Sequence, residues 1–374
     1  MVKVTQIDTN NQKQVKQFQN FPFQLYRATP QWVPPLDLDV KKMLDRKRHP
    51  FYQHSQAAFF LAIDNNEGIL GRLAVLDNHR YNEYNQERTA FFYLFECKNH
   101  PEASNLLFEA AFNWARERCL NKITGPKGFT ALDGMGLLVK GFDYRPAFGI
   151  PYNLEYYAQL LENAGFQTCG EIVSGYLDRN SPFPERIHRA SEIIQRRRGL
   201  HVSNFSTRKD LRLLIPQLKK LYNEAVQGTE GNVPLTDEEV DTLTDQMLWF
   251  ADPRLIKIIF KGDLPVGFLL AYPDISTAMQ RTRGRIFPFG WIVLWLELKR
   301  TKWININGAG IIEEYRGLGG TAILFSEMQK SVVNSRYIYA DIVQIGVENE
   351  RMQRELSDLG IDFHKTHRLY QRNL

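Results

Sequence analysis

Residues 303–330 read WININGAGIIEEYRGLGGTAILFSEMQK, and the reading of this stretch decides the fold assigned to the rest of the chain. Its apolar first half, up to Ile312, predicts a buried strand. Glu313, Glu314 and Tyr315 follow, and then Arg316-Gly317-Leu318-Gly319-Gly320-Thr321 opens an amphipathic segment that predicts a helix. Successive glycines at a helix start let several backbone N–H groups converge on one anion, and the helix dipole adds to the attraction. The stretch reads as a phosphate cradle. A strand-to-helix turn whose glycines only permit tight geometry is the competing reading.

Working outward, the same pattern occurs twice. AAFFLAIDNNEGILGRLAVLD (57–77) predicts a strand, a turn at Gly68 and a second strand from Gly71. LIKIIFKGDLPVGFLLAYPD (255–274) predicts the same, with its turn at Lys261–Asp263 and its second strand from Gly267, 196 positions after Gly71. Two helices that end in glycine, 156–166 and 350–363, place Gly165 and Gly360 at an offset of 195. Between these landmarks each half has a helix and then an apolar strand: 105–119 with 121–125, and 318–334 with 337–347. The repeat implies two domains of one α/β kind with a mixed sheet, 1–180 and 200–374, joined by 181–199. The arginines 196–198 read as a solvated helix face. The first half carries an insertion at 127–154 and the second half one at 275–302.

Length and composition agree. The 374 residues suffice for two or three domains at roughly 150 residues each. With 43% hydrophobic and 24% charged residues, wholesale disorder is excluded. Net charge is +5, and 281–302 alone carries Arg281, Arg283, Arg285, Lys299, Arg300 and Lys302 against Glu297, which is also +5. The remainder is neutral, so nucleic acid is not an expected partner. Cys97, Cys119 and Cys169 have no metal-ligand spacing, so no metal is expected. MVKVTQIDTNNQKQV lacks an apolar leader core, so the expected compartment is the cytoplasm. Ile286–Leu298 is the longest apolar run, 13 residues, short of the roughly 20 that cross a bilayer. No oligomeric state follows from the sequence.

Two phosphate-site readings compete for 317–322. Gly317-Leu-Gly319-Gly-Thr-Ala322 fits the dinucleotide fingerprint, with Asp341 where a ribose-binding acid is expected, which would imply an oxidoreductase. Against it, only about 50 residues follow, too few to complete a doubly wound sheet. The other reading is pyrophosphate binding by an acyl carrier. Here EEYRGLGGTAILFSEM resembles the R/Q-x-x-G-x-G/A motif of the GNAT superfamily of acyl-CoA N-acyltransferases. Glu348-Asn349-Glu-Arg-Met352 with Leu359-Gly360 resembles that superfamily's later helix. The whole chain resembles a bacterial tandem-GNAT group through Trp32–Leu36, Gly71-Arg72, Phe91–Glu96, Gly125-Pro126, Asp133–Gly141 and Pro151–Asn153 with Tyr156-Tyr157. Pro288–Trp291, Tyr315–Gly317 and Lys365–Tyr370 complete the set.

The resemblance implies two tandem acyl-CoA N-acyltransferase-like domains, with acetyl-CoA or a longer acyl-CoA as co-substrate of the second. Pantetheine would run along the strand ending at Ile311 and Ile312, and pyrophosphate would meet Arg316, Gly317, Leu318, Gly319, Gly320 and Thr321, with Asn349 nearby. The chain departs from the pattern at Thr321, where Gly or Ala is usual, and at Leu356, where many relatives place a tyrosine. The first half has Glu96-Cys-Lys-Asn-His-Pro101 in place of the glycine motif, so its domain is expected to be cofactor-free. Glu348, Asp341 and Tyr370 are the candidate acids and bases, each with a structural alternative: helix-start acid, strand-edge charge and strand packing. Tyr152, Asn153 and Trp291 are candidates for an acceptor cleft, with lobe packing as their alternative. The implied reaction moves an acyl group from acyl-CoA or an acyl-carrier protein to a small-molecule or lipid-like amine; a non-catalytic acyl-CoA or lipid-binding protein is the alternative.

RTRGRIFPFGWIVLWLELKRTK (281–302) sets Phe287, Phe289, Trp291 and Trp295 between basic clusters. Trp and Arg suit a membrane–water interface, which makes peripheral contact with the inner membrane face one expectation and a packed core with solvated arginines the other.

Overall fold

The computed structural model describes all residues except 131–132, 181–182, 204, 206, 226–231, 249 and 349, and all side chains except also 243, 245–248 and 350–352. The elements run β1 (Val2–Gln6), α1 (Gln12–Leu25), α2 (Asp37–Leu44), β2 (Gln56–Asp64), β3 (Gly68–Asp77), α3 (His79–Asn85), β4 (Thr89–Cys97), α4 (Pro101–Arg116), β5 (Lys122–Gly125), β6 (Leu137–Lys140), α5 (Tyr157–Asn163) and β7 (Gln167–Asp178). There follow α6 (Glu185–Arg198), β8 (Leu200–Ser203), α7 (Arg208–Ala225), α8 (Asp237–Leu248), β9 (Ile256–Lys261), β10 (Leu264–Pro273), α9 (Ser276–Thr282), α10 (Gly290–Arg300), β11 (Trp303–Ile311), α11 (Gly320–Val333), β12 (Tyr339–Gly346), α12 (Glu350–Asp358) and β13 (Asp362–Asn373).

These elements form two compact units, neither a continuous stretch. The first is Met1–Val173, Ser276–Leu294 and Lys365–Leu374; the second is Ser174–Ile275 and Trp295–His364. Residues 276–294 and the last ten thus group with the first unit although they follow it in the chain. Gln280 Nε2 donates to Pro30 O at 2.7 Å and Trp32 O at 3.0 Å, and Asp37 N donates to Gly284 O at 2.9 Å. The carboxyl end of β13 pairs with β5 and β6.

In the first unit the strand order is β1-β2-β3-β4-β5-β13, with β6 also on β13. Its second strand shows why a continuous apolar run forms a strand buried on both faces. Ala58, Phe60 and Ala62 enter the core under α4, while Ala57, Phe59 and Leu61 enter a second core with Phe18, Val40 and Leu44. From α4, Leu107, Phe108, Ala111, Phe112 and Ala115 fill the first of these cores at helical spacing. Each large buried side chain contributes roughly 1.5–3 kcal/mol. This helix begins at Pro101, four residues before the start expected from its periodicity, because Pro fits a first helical position and the His100 ring caps it.

The second unit has the order β8-β9-β10-β11-β12-β7 and its own core. Among its strand pairs of defined register only β11/β12 is parallel. That excludes the doubly wound parallel sheet which the dinucleotide reading requires. The repeat is visible in the register: Gly71 pairs with Cys97 at the end of β4, and Gly267 pairs with Ile311 at the end of β11. In each unit the long strand carries an irregularity, at Leu94 (φ 50°) in β4 and near Gly308 (φ 142°) in β11, and then a helix leads to a parallel neighbour. Among the described residues no helix is long and apolar enough to cross a membrane.

Candidate functional site

The strands β11 and β12 are in parallel register from Trp303↔Tyr339 to Ile306↔Ile342, and there the pairing ends. Each continues, β11 to Ile311 and β12 to Gly346. Past Ile306 and Ile342 the edges that the two strands present to each other no longer pair, so each offers backbone donors and acceptors to an extended ligand. β11 leads into the glycine loop. A short turn at Glu313–Tyr315 and Gly317 at φ 79° bring the chain to Gly319, φ 86°, at the start of α11. Among the described residues no side chain caps this helix, and its first intrahelical bond is Ile323 N to Gly319 O. The amides of Gly320, Thr321 and Ala322 therefore lie before that bond, at the positive end of the dipole. Arg316 ties the loop down, donating from Nε to Ile311 O at 3.1 Å and from Nη2 to Ala225 O at 2.9 Å.

Packing also demands these glycines. A Cβ on Gly319 would lie 2.3 Å from Cδ1 of Ile194 on α6, and one on Gly320 would lie 2.6 Å from Cδ1 of Ile311. The tight packing of the glycines leaves the amides of the helix start in place, so the two rival readings of the sequence do not exclude each other in this loop.

A polar cluster is buried where β10, β11 and β12 run side by side. Asn305 is opposite Tyr272 on one side and Asp341 on the other, so the three side chains share a face. Asn305 Nδ2 donates to Asp274 Oδ1 at 3.1 Å, and Asn307 Nδ2 donates to the Tyr272 hydroxyl at 3.2 Å. Asp274, Asn305 and Asp341 are all at most 4% exposed. Burial pushes the Tyr272 hydroxyl up to about 12, with the charges of Asp274 and Asp341 adding to the rise. The cluster can hold or pass a proton within one face of the sheet, beside the point at which β11 and β12 stop pairing.

No protein-family model matches the chain. Protein YghO of Escherichia coli (strain K12) is 26% identical over 371 residues, 97% of this chain and 94% of its own. The bacterial ceramide synthase of Caulobacter vibrioides (strain NA1000 / CB15N) is 25% identical over 373 residues, 96% of this chain and 95% of its own. A solved tandem GNAT protein from the clavulanic acid biosynthesis pathway superposes with a TM-score of 0.58 at 10% identity, over all of this chain and 98% of that one. This is the tandem GNAT fold.

The two GNAT-like units differ at the place where the second has its opening. At the start of α4, Pro101 contributes no N–H and the His100 ring accepts from Ala103 N at 3.2 Å. At the end of β4, Cys97 N donates to the Tyr157 hydroxyl at 3.0 Å, and the Tyr156 hydroxyl donates to Cys97 O at 2.8 Å. Tyrosines of the same unit therefore occupy the backbone groups that β11 leaves open. Around them Glu96 accepts from Tyr26 and from Tyr157, and Arg72 lies 3.9 Å from it. Burial raises the Glu96 carboxyl above its ordinary range against the pull of Arg72.

The other candidate residues of the chain are dispersed. Glu348 is exposed in the turn after β12, and Asn349 lies outside the described residues. Tyr370 belongs to the first unit, where it is wholly buried opposite Gly125. Leu356 is 1% exposed in the second unit's core, a packing position on α12. In the first unit Asn153 bridges Leu138 N at 2.7 Å and Leu138 O at 3.0 Å, which makes it a clamp on β6. Tyr152 donates to Phe142 O at 3.0 Å. Trp291 is 53% exposed. Sequence reasoning missed Tyr272, Asp274, Asn305 and Asn307, although Asn305 and Asn307 alternate with isoleucines in WININ, a period-2 polar signal inside an apolar strand.

Proposed function

We propose that the chain is an N-acyltransferase whose second unit binds an acyl thioester, from acyl-CoA or an acyl-carrier protein, and transfers the acyl group to a lipid-like amine. The observation that carries the reading is the pairing of a parted β11/β12 edge with an uncapped glycine helix start. Pantetheine would bond along residues 307–311, and pyrophosphate would meet the amides of Gly317–Thr321. The amine nitrogen attacks the thioester carbonyl, the C–N bond forms as C–S breaks, the amine proton leaves to Asp341 directly or through water, and the thiolate takes up a proton. A nearly full-length relative named bacterial ceramide synthase supports a lipid-like acceptor, since a ceramide is an amide of a fatty acid and a long-chain amino alcohol. The first unit, with its capped helix and tyrosine-filled slot, is read as cofactor-free.

Thr321→Glu tests this. A carboxylate in the first turn favours the helix dipole, by about 0.5 kcal/mol, so the fold is retained. Against a phosphate charge at about 5 Å it costs about 3 kcal/mol at an effective dielectric near 20, which weakens binding about 100-fold. Calorimetry with CoA, acetyl-CoA and a long-chain acyl-CoA should show one site per chain in the wild type and the loss of it in the variant. Absence of binding by any CoA species together with no acyl transfer from an acyl-carrier protein, or equal CoA binding by the variant, refutes the reading. A second reading, thioester binding without chemistry, is favoured by Leu356, which packs where a tyrosine acid would stand. Binding with no thiol release across a panel of long-chain amines would support it.

A further inference from the structure

The segment 281–300 is basic and aromatic in sequence, and the structure shows which of its residues meet solvent. Phe287 and Phe289 are 71% and 72% exposed, Trp291 and Trp295 53% and 52%, and Ile292 is exposed beside them. Of these, Phe287, Phe289, Trp291 and Ile292 belong to the first unit. At roughly 200 Å² per aromatic side chain, its three aromatics alone leave about 400 Å² of apolar surface uncovered, within the range of the largest patch of a typical monomer. Arg281, Arg283 and Arg285 of the same segment are exposed, and every charged side chain of 276–294 is a cation.

The face is rigid. Met279 and Ala278 are fully buried behind it, and a Cβ on Gly284 would lie 2.1 Å from Pro35 O. At the start of α10 a Cβ on Gly290 would lie 1.9 Å from Arg285 O. An open depression of about 460 Å³ adjoins Phe287 and adds Lys16 and Lys41, the latter paired with Asp37 at 2.6 Å.

We propose that this face of the first unit docks the protein on an anionic lipid bilayer, with Phe287, Phe289, Trp291 and Ile292 at the level of the headgroups and Arg281, Arg283 and Arg285 on lipid phosphates. Tryptophan and arginine suit that interface because each joins an apolar body to a polar tip. A second copy fits poorly, since a two-fold interface would gather two sets of cations with no anions from this segment to offset them. The inference does not depend on the reaction proposed above.

Flotation of the full chain with phosphatidylcholine vesicles, alone or with about one third phosphatidylglycerol, tests it. The wild type should float with the anionic vesicles and not with the neutral ones. Phe289→Glu/Trp291→Glu should lose binding tenfold or more. Arg281→Gln/Arg283→Gln/Arg285→Gln should lose about fivefold per charge. Phe287→Gln/Phe289→Gln supplies a milder aromatic variant, and all substituted groups are exposed. Failure of the wild type to float with anionic vesicles, or flotation of both aromatic variants at the wild-type level, overturns the proposal. So does a lipid-free dimer in ultracentrifugation that the aromatic variants abolish, which would assign the face to a second copy.

Discussion

His367 should make the first unit sensitive to mild acid. It is fully buried on β13, and its Nε2 lies 3.0 Å from Pro151 O, so the neutral ring donates there. Burial, with Lys365 adding to it, lowers the imidazole from 6.5 to about 4. Above about pH 6.5 the ring is neutral in both the folded and the unfolded chain, and its contribution to stability is complete. As pH falls from 6.5 towards 4, the unfolded chain takes up a proton that the folded chain refuses, and stability is lost. At 1.36 kcal/mol per pH unit the total is about 3 kcal/mol, a large share of a typical 5–15 kcal/mol. His367→Gln keeps a donor for Pro151 O and removes the titration. Urea unfolding followed by fluorescence at steps between pH 7.5 and 4 should show the wild type losing about 3 kcal/mol more than the variant. Parallel pH curves for the two proteins would refute the reasoning.

Two further outcomes concern the second unit. Gly319→Ala should destabilise it by about 2 kcal/mol, through overpacking against Ile194 and strain at φ 86°; adding Ile194→Ala should recover the packing part, read as a favourable coupling in a double-mutant cycle, and strict additivity would count against the contact. Asp341→Asn should lower acyl transfer by about 100-fold or more with CoA affinity within about twofold, and unchanged turnover would remove Asp341 from the proton path.

The glycine loop and the two-fold repeat were legible because they are local: Gly317 and Gly319 announce a chain reversal, and strand and helix periods recur with their turn residues. Asp341 was legible as a polar residue in an apolar strand. Its companions were not, because Tyr272 comes from β10, Asp274 from the residue just after that strand and Asn305 from β11, and only the pairing of these strands brings them together. Tyr370 and Asn153 looked equally chemical in sequence. The structure gives the first to a core and the second to a backbone clamp.

The sequence by itself determined that the chain repeats one α/β unit, that the second copy alone has a glycine helix start, and that excess charge gathers in 281–302. These follow from residue type and spacing, which act over a few residues. Only the tertiary structure decided that residues 276–294 and the last ten join the first unit, that the first unit's slot is filled by its own tyrosines, and that the aromatics of 281–302 face water while Glu297 does not. Burial and pairing arise from contacts between residues far apart in the chain, and a local pattern of apolar and charged residues does not specify which side of a helix or strand meets them.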